Sequence, residues 1–211
     1  MATGGLAGLF VSSLVTFFVV IDPPGCAPIY AGLTAGAPTP HVRAMAVRAV
    51  LVAAAILFVF ALFGEDILNA LGISLDSFRI AGGIMLFLIA LEMVFEKRTQ
   101  RREDRAQKLI DTPEHEDVSI FPMAMPMIAG PGSIASVMLQ MSRGHGVERT
   151  LVILAAMAAI LLLTLVALLA AGPLMRFMGQ KIEAVITRLL GVLLAALAAQ
   201  FVIDGIRGSL G

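Results

Sequence analysis

Asp22-Pro23-Pro24-Gly25 interrupts an apolar segment that runs from Leu6 to Ala37, and Gly130-Pro131-Gly132-Ser133 interrupts a second one, Val118–Met141. Proline removes a backbone N–H and clashes with the preceding helical turn, so neither segment can continue as a regular helix. In lipid an unpaired backbone group costs several kcal/mol, so a break at membrane depth must be covered by protein or line a cavity. Pro24 and Pro131 are 107 positions apart, which indicates one structural device used twice.

The composition is typical of an integral membrane protein. Of the 211 residues 59% are hydrophobic and 14% charged, and the mean hydropathy is +0.95, whereas soluble domains have about 45–50% apolar and about 25% charged residues. The formal net charge of zero gives no indication of a nucleic-acid partner. The single cysteine, Cys26, excludes an intrachain disulfide and a cysteine-based metal cluster. We expect no metal and no cofactor.

Six segments are apolar enough to form membrane-spanning helices, for which about 20 residues are needed. Two of them contain the breaks, and four are uninterrupted: Met45–Phe63, Ile80–Phe95, Leu151–Leu174 and Leu189–Ile203. We therefore predict an all-α membrane protein with six transmembrane helices, of which helices 1 and 4 are broken at the Pro-Gly motifs. By counting residues, both breaks fall near the bilayer centre.

Lysine and arginine are distributed unequally between the two predicted sides of the membrane. Eleven follow spans one, three and five: Arg43, Arg48, Lys97, Arg98, Arg101, Arg102, Arg105, Lys108, Arg176, Lys181 and Arg188. Four lie on the opposite side: Arg79, Arg143, Arg149 and Arg207. The positive-inside rule then predicts that both termini are outside and that the long middle loop is cytoplasmic.

A hydrophilic linker, residues 96–117, divides the chain into a first three-helix repeat, residues 1–95, and a second, residues 118–211. A solvated hinge is the simpler interpretation of this linker, and contact with lipid headgroups or a regulatory role is the alternative. Arg79-Ile-Ala-Gly82 and Arg188-Leu-Leu-Gly191 open spans three and six, 109 positions apart. Because each half has an odd number of spans, the second is predicted to be inverted relative to the first, as in many secondary transporters.

The two breaks form the candidate substrate-binding site. A helix that restarts after Pro-Gly has unpaired N–H groups and a partial positive charge at its first turn, which suits a carboxylate. Asp22 is the one acidic residue predicted near the bilayer centre, and it is the candidate for binding an ammonium group or for proton coupling. The helix N-terminus and the Asp22 carboxylate together favour a zwitterionic substrate. The candidate residues are Asp22, Pro24, Gly25, Cys26, Gly130, Pro131, Gly132 and Ser133.

Each of these features also has a structural interpretation. Proline kinks occur in membrane helices without a ligand, Asp22 is a favoured N-cap residue, and Ser133 suits a cap or a packing contact. Other polar residues of span one, among them Ser13 and Thr16, are expected to bond back to their own helix. No enzyme signature is found, and the three histidines fall in predicted loops. We expect no enzymatic activity.

Two stretches resemble the MarC family of bacterial inner-membrane proteins: Phe17–Tyr30, which contains Ile-Asp-Pro-Pro-Gly-Cys, and Pro126–Ile134, which contains Ala-Gly-Pro-Gly-Ser. The resemblance extends over nearly the whole chain. It implies a multi-pass inner-membrane protein related to the SnatA-type transporters of small neutral amino acids, among the LysE-like exporters, with coupling to the proton gradient. One departure is Pro24-Gly25-Cys26, where many members have a bulkier apolar residue before the glycine and an asparagine after it.

We therefore expect a secondary transporter of small neutral amino acids such as glycine or alanine, with its site at the two breaks. Its expected partners are the lipid bilayer and a small-molecule substrate, and the sequence leaves a homo-oligomer open. One alternative is a channel, or a carrier for another small solute, that uses the breaks as a constriction. A second is a membrane scaffold without transport activity, in which the breaks would be packed and dry.

Overall fold

The computed structural model describes residues 5–95, 117–142 and 146–210, without the side chains of 174–184 and 186. The predicted linker therefore lies outside the described residues except for Asp117. The same holds for the six basic residues of that linker on which the predicted orientation largely depends.

All regular structure in the described residues is helical. The helices are α1 Leu6–Ile21, α2 Pro23–Leu33, α3 Thr39–Ala70, α4 Leu75–Val94, α5 Pro131–Met141, α6 Val147–Leu169 and α7 Ala171–Leu210. Between α4 and α5, Ser119–Ile128 forms an irregular helical segment with extended backbone at Phe121 and Met125, each of which precedes a cis proline. This stretch is called the wide segment below.

Five helical spans among the described residues are long and apolar enough to cross a membrane, and α1 and α2 together form the first of them, Leu6–Leu33. The wide segment and α5, which are bent by 50° relative to each other, make a sixth if they are counted as one broken span. The prediction of an all-α membrane protein is confirmed in this form. The inverted relation between the two halves stays a prediction.

The last helix is longer than the sequence predicted. A loop was expected between spans five and six, but α7 runs without interruption over the 40 residues Ala171–Leu210. Pro173 does not prevent this, because it lies in the first helical turn, where its missing N–H has no intrahelical partner to bond. Within the part of α7 that the structure describes in full, Thr187–Leu210 is long and apolar enough to span a membrane.

Because successive spans run in opposite directions, the helix ends and loops lie at two ends of the bundle, which are called the terminal face and the linker face. The terminal face holds the loop after α3, the end of α5 and the end of α7. There Arg79 donates to Asp76 and to the Ser142 carbonyl, both at 2.8 Å. The linker face holds the ends of α2 and α4 and the start of the wide segment. There the Tyr30 hydroxyl donates to the Val42 carbonyl.

Asp117 anchors the start of the wide segment at the linker face. Its carboxylate pairs with Arg48 of α3 and accepts from the Ser119 N–H at 2.9 Å. The Ser119 hydroxyl, this N–H and the Arg48 guanidinium together hold the pKa of Asp117 below its ordinary value. The pair is solvent-exposed on both sides, so it orients the segment more than it stabilises the fold.

Helix α5 occupies the centre of the bundle, where it packs against α1, α3, α4 and α6. Eight of its eleven residues are buried. Helices α4 and α7 pack along their length, and glycine permits their close approach. A Cβ atom at Gly83 would lie 2.9 Å from the Ala198 carbonyl oxygen, and one at Gly191 would lie 3.1 Å from that of Ala90.

Candidate functional site

The first break is a single residue, Asp22, between α1 and α2. Its backbone is left-handed, with φ 60° and ψ 64°, and it is 3% exposed. The Asp22 carboxylate accepts a hydrogen bond from the Gly25 N–H at 3.1 Å, so it caps the first turn of α2. Aspartate suits this position because it is both a favoured N-cap and one of the few residues that adopt the left-handed region readily.

The break changes the pairing of three carbonyl groups at the end of α1. In a regular helix, the N–H groups of residues 23 and 24 would donate to the carbonyl oxygens of Val19 and Val20. Both residues are prolines, which have no N–H, so these two hydrogen bonds cannot form. Ile21 would accept from Gly25, whose N–H is instead directed to Asp22. The Cys26 thiol donates to the Ile21 carbonyl at 3.5 Å. Carbonyl and carboxylate oxygens are therefore concentrated at this break.

The second break lies between the wide segment and α5, at Ala129 and Gly130. Gly130 is extended, and no side chain among the described residues caps α5 at this position. A Cβ atom at Gly130 would lie 2.3 Å from the Pro126 carbonyl oxygen, so the backbone here passes too close for any other residue. The first turn of α5 thus keeps the N–H groups that a helix N-terminus leaves unpaired within the helix.

The two breaks are neighbours in the folded chain. A Cβ atom at Gly132 would lie 3.5 Å from Val20 Cγ1, so the first turn of α5 rests on the last turn of α1. Val20 is two residues before Asp22. From this point α2 runs toward the linker face and α5 runs toward the terminal face.

The predicted site residues differ in how deeply they are buried. Asp22, Gly25, Cys26, Gly130, Gly132 and Ser133 are buried, and Pro24 is half-buried. Pro131 is exposed. Its position as the first residue of α5 makes it a helix-starting residue, because its fixed φ suits N1 and its missing N–H is not needed there.

A polar stripe on α5 was missed by the sequence reasoning. Ser133, Ser136 and Gln140 are all buried and are spaced i, i+3 and i+7, so they share one face of the helix. Gln140 is 0% exposed, and its Nε2 donates to Thr16 Oγ1 of α1 at 3.0 Å. The spacing could have revealed the stripe.

The polar residues of α1 behave in two ways. Thr16 donates to the Ser12 carbonyl at 2.8 Å, as expected for a hydroxyl that bonds back to its own helix. Ser13 does not, and its buried hydroxyl has no hydrogen-bond partner among the described residues. The α1–α5 interface therefore carries polar groups on both helices, from the level of the breaks toward the terminal face.

An open pocket of about 140 Å³ lies at the terminal face. Helix α5 contributes Met138 and Met141 to it, and Glu65 of α3 and Thr150 of α6 add polar groups. Met138 and Met141 flank Gln140 in the sequence, so the pocket lies at the level of the last residue of the polar stripe, on the side away from the breaks. In the part of the chain that the structure describes, no three His, Cys, Asp or Glu side chains are grouped as metal ligands.

Gly25→Ala should destabilise the protein by about 2–3 kcal/mol, the cost of a lost hydrogen bond to a buried charged group. The added Cβ would lie 2.3 Å from Asp22 Oδ2, which forces the carboxylate away from the Gly25 N–H. Denaturant titration of the purified protein measures the effect. Gly32→Ala, also in α2, is the control, since its Cβ would have no neighbour within 4 Å apart from the surrounding backbone of its own helix, and alanine there should stabilise by up to about 1 kcal/mol. Equal stability of the two variants would contradict the role of the Asp22 cap.

Comparison with known proteins agrees with this architecture. The model of the MarC family, described as integral membrane proteins, matches residues 7–210. The chain belongs to the MarC family. A UPF0056 membrane protein of Methanocaldococcus jannaschii is 37% identical over 95% of the chain and 97% of the relative. The UPF0056 protein YhcE of Escherichia coli is 32% identical over 95% and 93%, and YvbG of Bacillus subtilis is 32% identical over 94% of each. No solved structure matches the chain significantly.

These three relatives come from an archaeon and two bacteria, and each is named as a membrane protein. They are matched over almost their full length, so the breaks, the wide segment and the polar stripe lie within the shared region. The chain is an integral membrane protein with several spans, in contact with the lipid bilayer.

Proposed function

We propose that this MarC-family protein is a secondary transporter of small neutral amino acids, with glycine and alanine as the first candidates, and not an enzyme. The observation that carries the proposal is the buried polar interface between α1 and α5, which begins at the break marked by Asp22. Buried polar and ionisable groups at membrane depth are costly and usually mark a solute or proton pathway. The Asp22 carboxylate would bind the ammonium group, and the uncapped first turn of α5 would bind the carboxylate.

The proposed mechanism uses the two helix breaks as the fixed centre of an inverted repeat. Residues 1–95 and 118–211 would rock against each other around this centre and open it alternately to the two sides. The contacts of Arg79 with Ser142 and of Arg48 with Asp117 would hold the two ends of the fourth span in the observed arrangement. We propose the bacterial inner membrane as the location, with both termini outside, and coupling to the proton gradient through Asp22.

Burial of the breaks favours one rival function, that of a membrane scaffold. Asp22, Cys26 and Gly132 are buried, which in a transporter corresponds to an occluded state. A membrane scaffold without transport activity would have the same packing permanently. The two proposals differ in whether the breaks are ever reached by solute.

A panel of labelled neutral amino acids, tested in proteoliposomes with and without a pH gradient, examines the proposal. We expect saturable uptake and counterflow of at least one small member. Conductance without counterflow would assign a channel, and absence of uptake for every member of the panel would leave the scaffold.

A further inference from the structure

Two buried polar atoms, Gln140 Oε1 of α5 and Ser13 Oγ of α1, have no hydrogen-bond partner among the described residues. Both side chains are 0% exposed. A buried polar atom without a partner is costly, and natural structures explain such atoms by an unseen water, an ion or a ligand. Gln140 Oε1 and Ser13 Oγ are therefore each expected to contact a water, an ion or a ligand.

The hydrogen bonds fix which end of the Gln140 amide is available. The Thr16 hydroxyl has one hydrogen, which it donates to the Ser12 carbonyl at 2.8 Å. Thr16 Oγ1 can then only accept, and the Gln140 group that faces it at 3.0 Å must be the donating Nε2. The carbonyl oxygen of Gln140 is the end without a partner. Ser13 lies three positions before Thr16, so it shares the same face of α1.

The available atoms select a ligand that donates hydrogen bonds. Gln140 Oε1 can only accept, and the Ser13 hydroxyl can also accept. We propose that Ser13 and Gln140 form a second solute subsite, which binds the ammonium group of the transported amino acid. This inference rests on the proposed function and adds a second binding position for the transported solute.

The second subsite is separate from the one at Asp22. Thr16 is six residues before Asp22, which corresponds to about 9 Å along a helix at 1.5 Å per residue. One ammonium group cannot bind at both places, so the two subsites are occupied in sequence. Gln140 lies in the same turn of α5 as Met138 and Met141, which line the pocket at the terminal face. The subsite therefore lies at the level of that pocket, on the terminal-face side of the breaks.

Equilibrium dialysis of radiolabelled methylammonium against the protein in nanodiscs tests the subsite. Asp22→Asn is used as the background, because it removes the other candidate partner of an ammonium group. Methylammonium should bind to this background, and adding Gln140→Met or Ser13→Ala should weaken binding about tenfold. Unlabelled acetate should not compete. Adding Gln140→Glu should strengthen binding, which tests the position even if the methionine variant fails to fold.

Thr164→Val is the matched control. Thr164 is 0% exposed like Gln140, but its hydroxyl donates to the Ile160 carbonyl of its own helix at 2.8 Å, and its replacement should leave methylammonium binding unchanged. Equal binding in the Gln140, Ser13 and Thr164 variants would assign the two atoms to a structural water and overturn the subsite. No binding to the background would also overturn it. Failure of the proposed function is seen separately, as no amino acid uptake by the unmodified protein.

Discussion

Asp22→Asn should lower amino acid uptake at least about tenfold while leaving the fold intact. The asparagine Oδ1 can still accept from the Gly25 N–H, as the carboxylate does at 3.1 Å, and asparagine tolerates the left-handed backbone of position 22. The variant therefore keeps the helix cap and removes only the negative charge. A hydrogen bond to a charged group contributes about 1.5–3 kcal/mol, and 1.4 kcal/mol is a factor of ten in binding.

Initial rates of uptake in proteoliposomes, with and without a pH gradient, measure this effect, and denaturant titration verifies the fold. The dependence on the pH gradient should disappear together with most of the uptake. Asp22→Ala is the comparison, since it removes the cap as well and should also destabilise the protein. Full uptake with full pH dependence in the asparagine variant would reduce Asp22 to a helix cap.

Gly130→Ala should be the most destabilising single change at the second break, by about 3 kcal/mol or more, the upper range for forced overpacking. The added Cβ would lie 2.3 Å from the Pro126 carbonyl oxygen. Because that oxygen belongs to the backbone, relief requires the wide segment to move away from α5. Denaturant titration measures the loss.

Gly132→Ala is the matched control for this prediction. Its Cβ would lie 2.4 Å from Ile89 Cδ1, an equally short contact, but with the end of a flexible side chain. A rotamer change of Ile89 can relieve it, so the cost should be about 1 kcal/mol. If Gly132→Ala were the more damaging of the two, the backbone contact at Gly130 would not be what fixes the second break.

The sequence was sufficient where local chemistry decides the structure. Pro23, Pro24 and Pro131 lie in the first turn of a helix, although Pro28 lies inside α2. Five of the six predicted spans follow from apolar runs alone. The capping role of Asp22 follows from its position before Pro-Pro-Gly. These features depend on a few neighbouring residues, which a sequence displays directly.

The features that were missed depend on contacts between distant parts of the chain. The Gln140–Thr16 hydrogen bond joins residues 124 positions apart, and no local pattern identifies the partner of a buried amide. The continuous α7 was missed because charged residues in its first half suggested a loop, although they do not prevent a helix. The extended backbone at Phe121 and Met125 has a local signal, since each residue precedes a proline, but apolarity was given more weight.

Transport requires that solute reaches the two helix breaks, and Cys26 tests this without any substitution. Cys26 is the only cysteine in the chain, it is 0% exposed, and its thiol donates to the Ile21 carbonyl at the first break. The measurement is the rate at which a small hydrophilic methanethiosulfonate labels the protein in liposomes. We expect the folded protein to be labelled, and we expect labelling to slow in the presence of a transported amino acid. Labelling only after denaturation would show that the breaks stay closed to solute and would rule out transport through them.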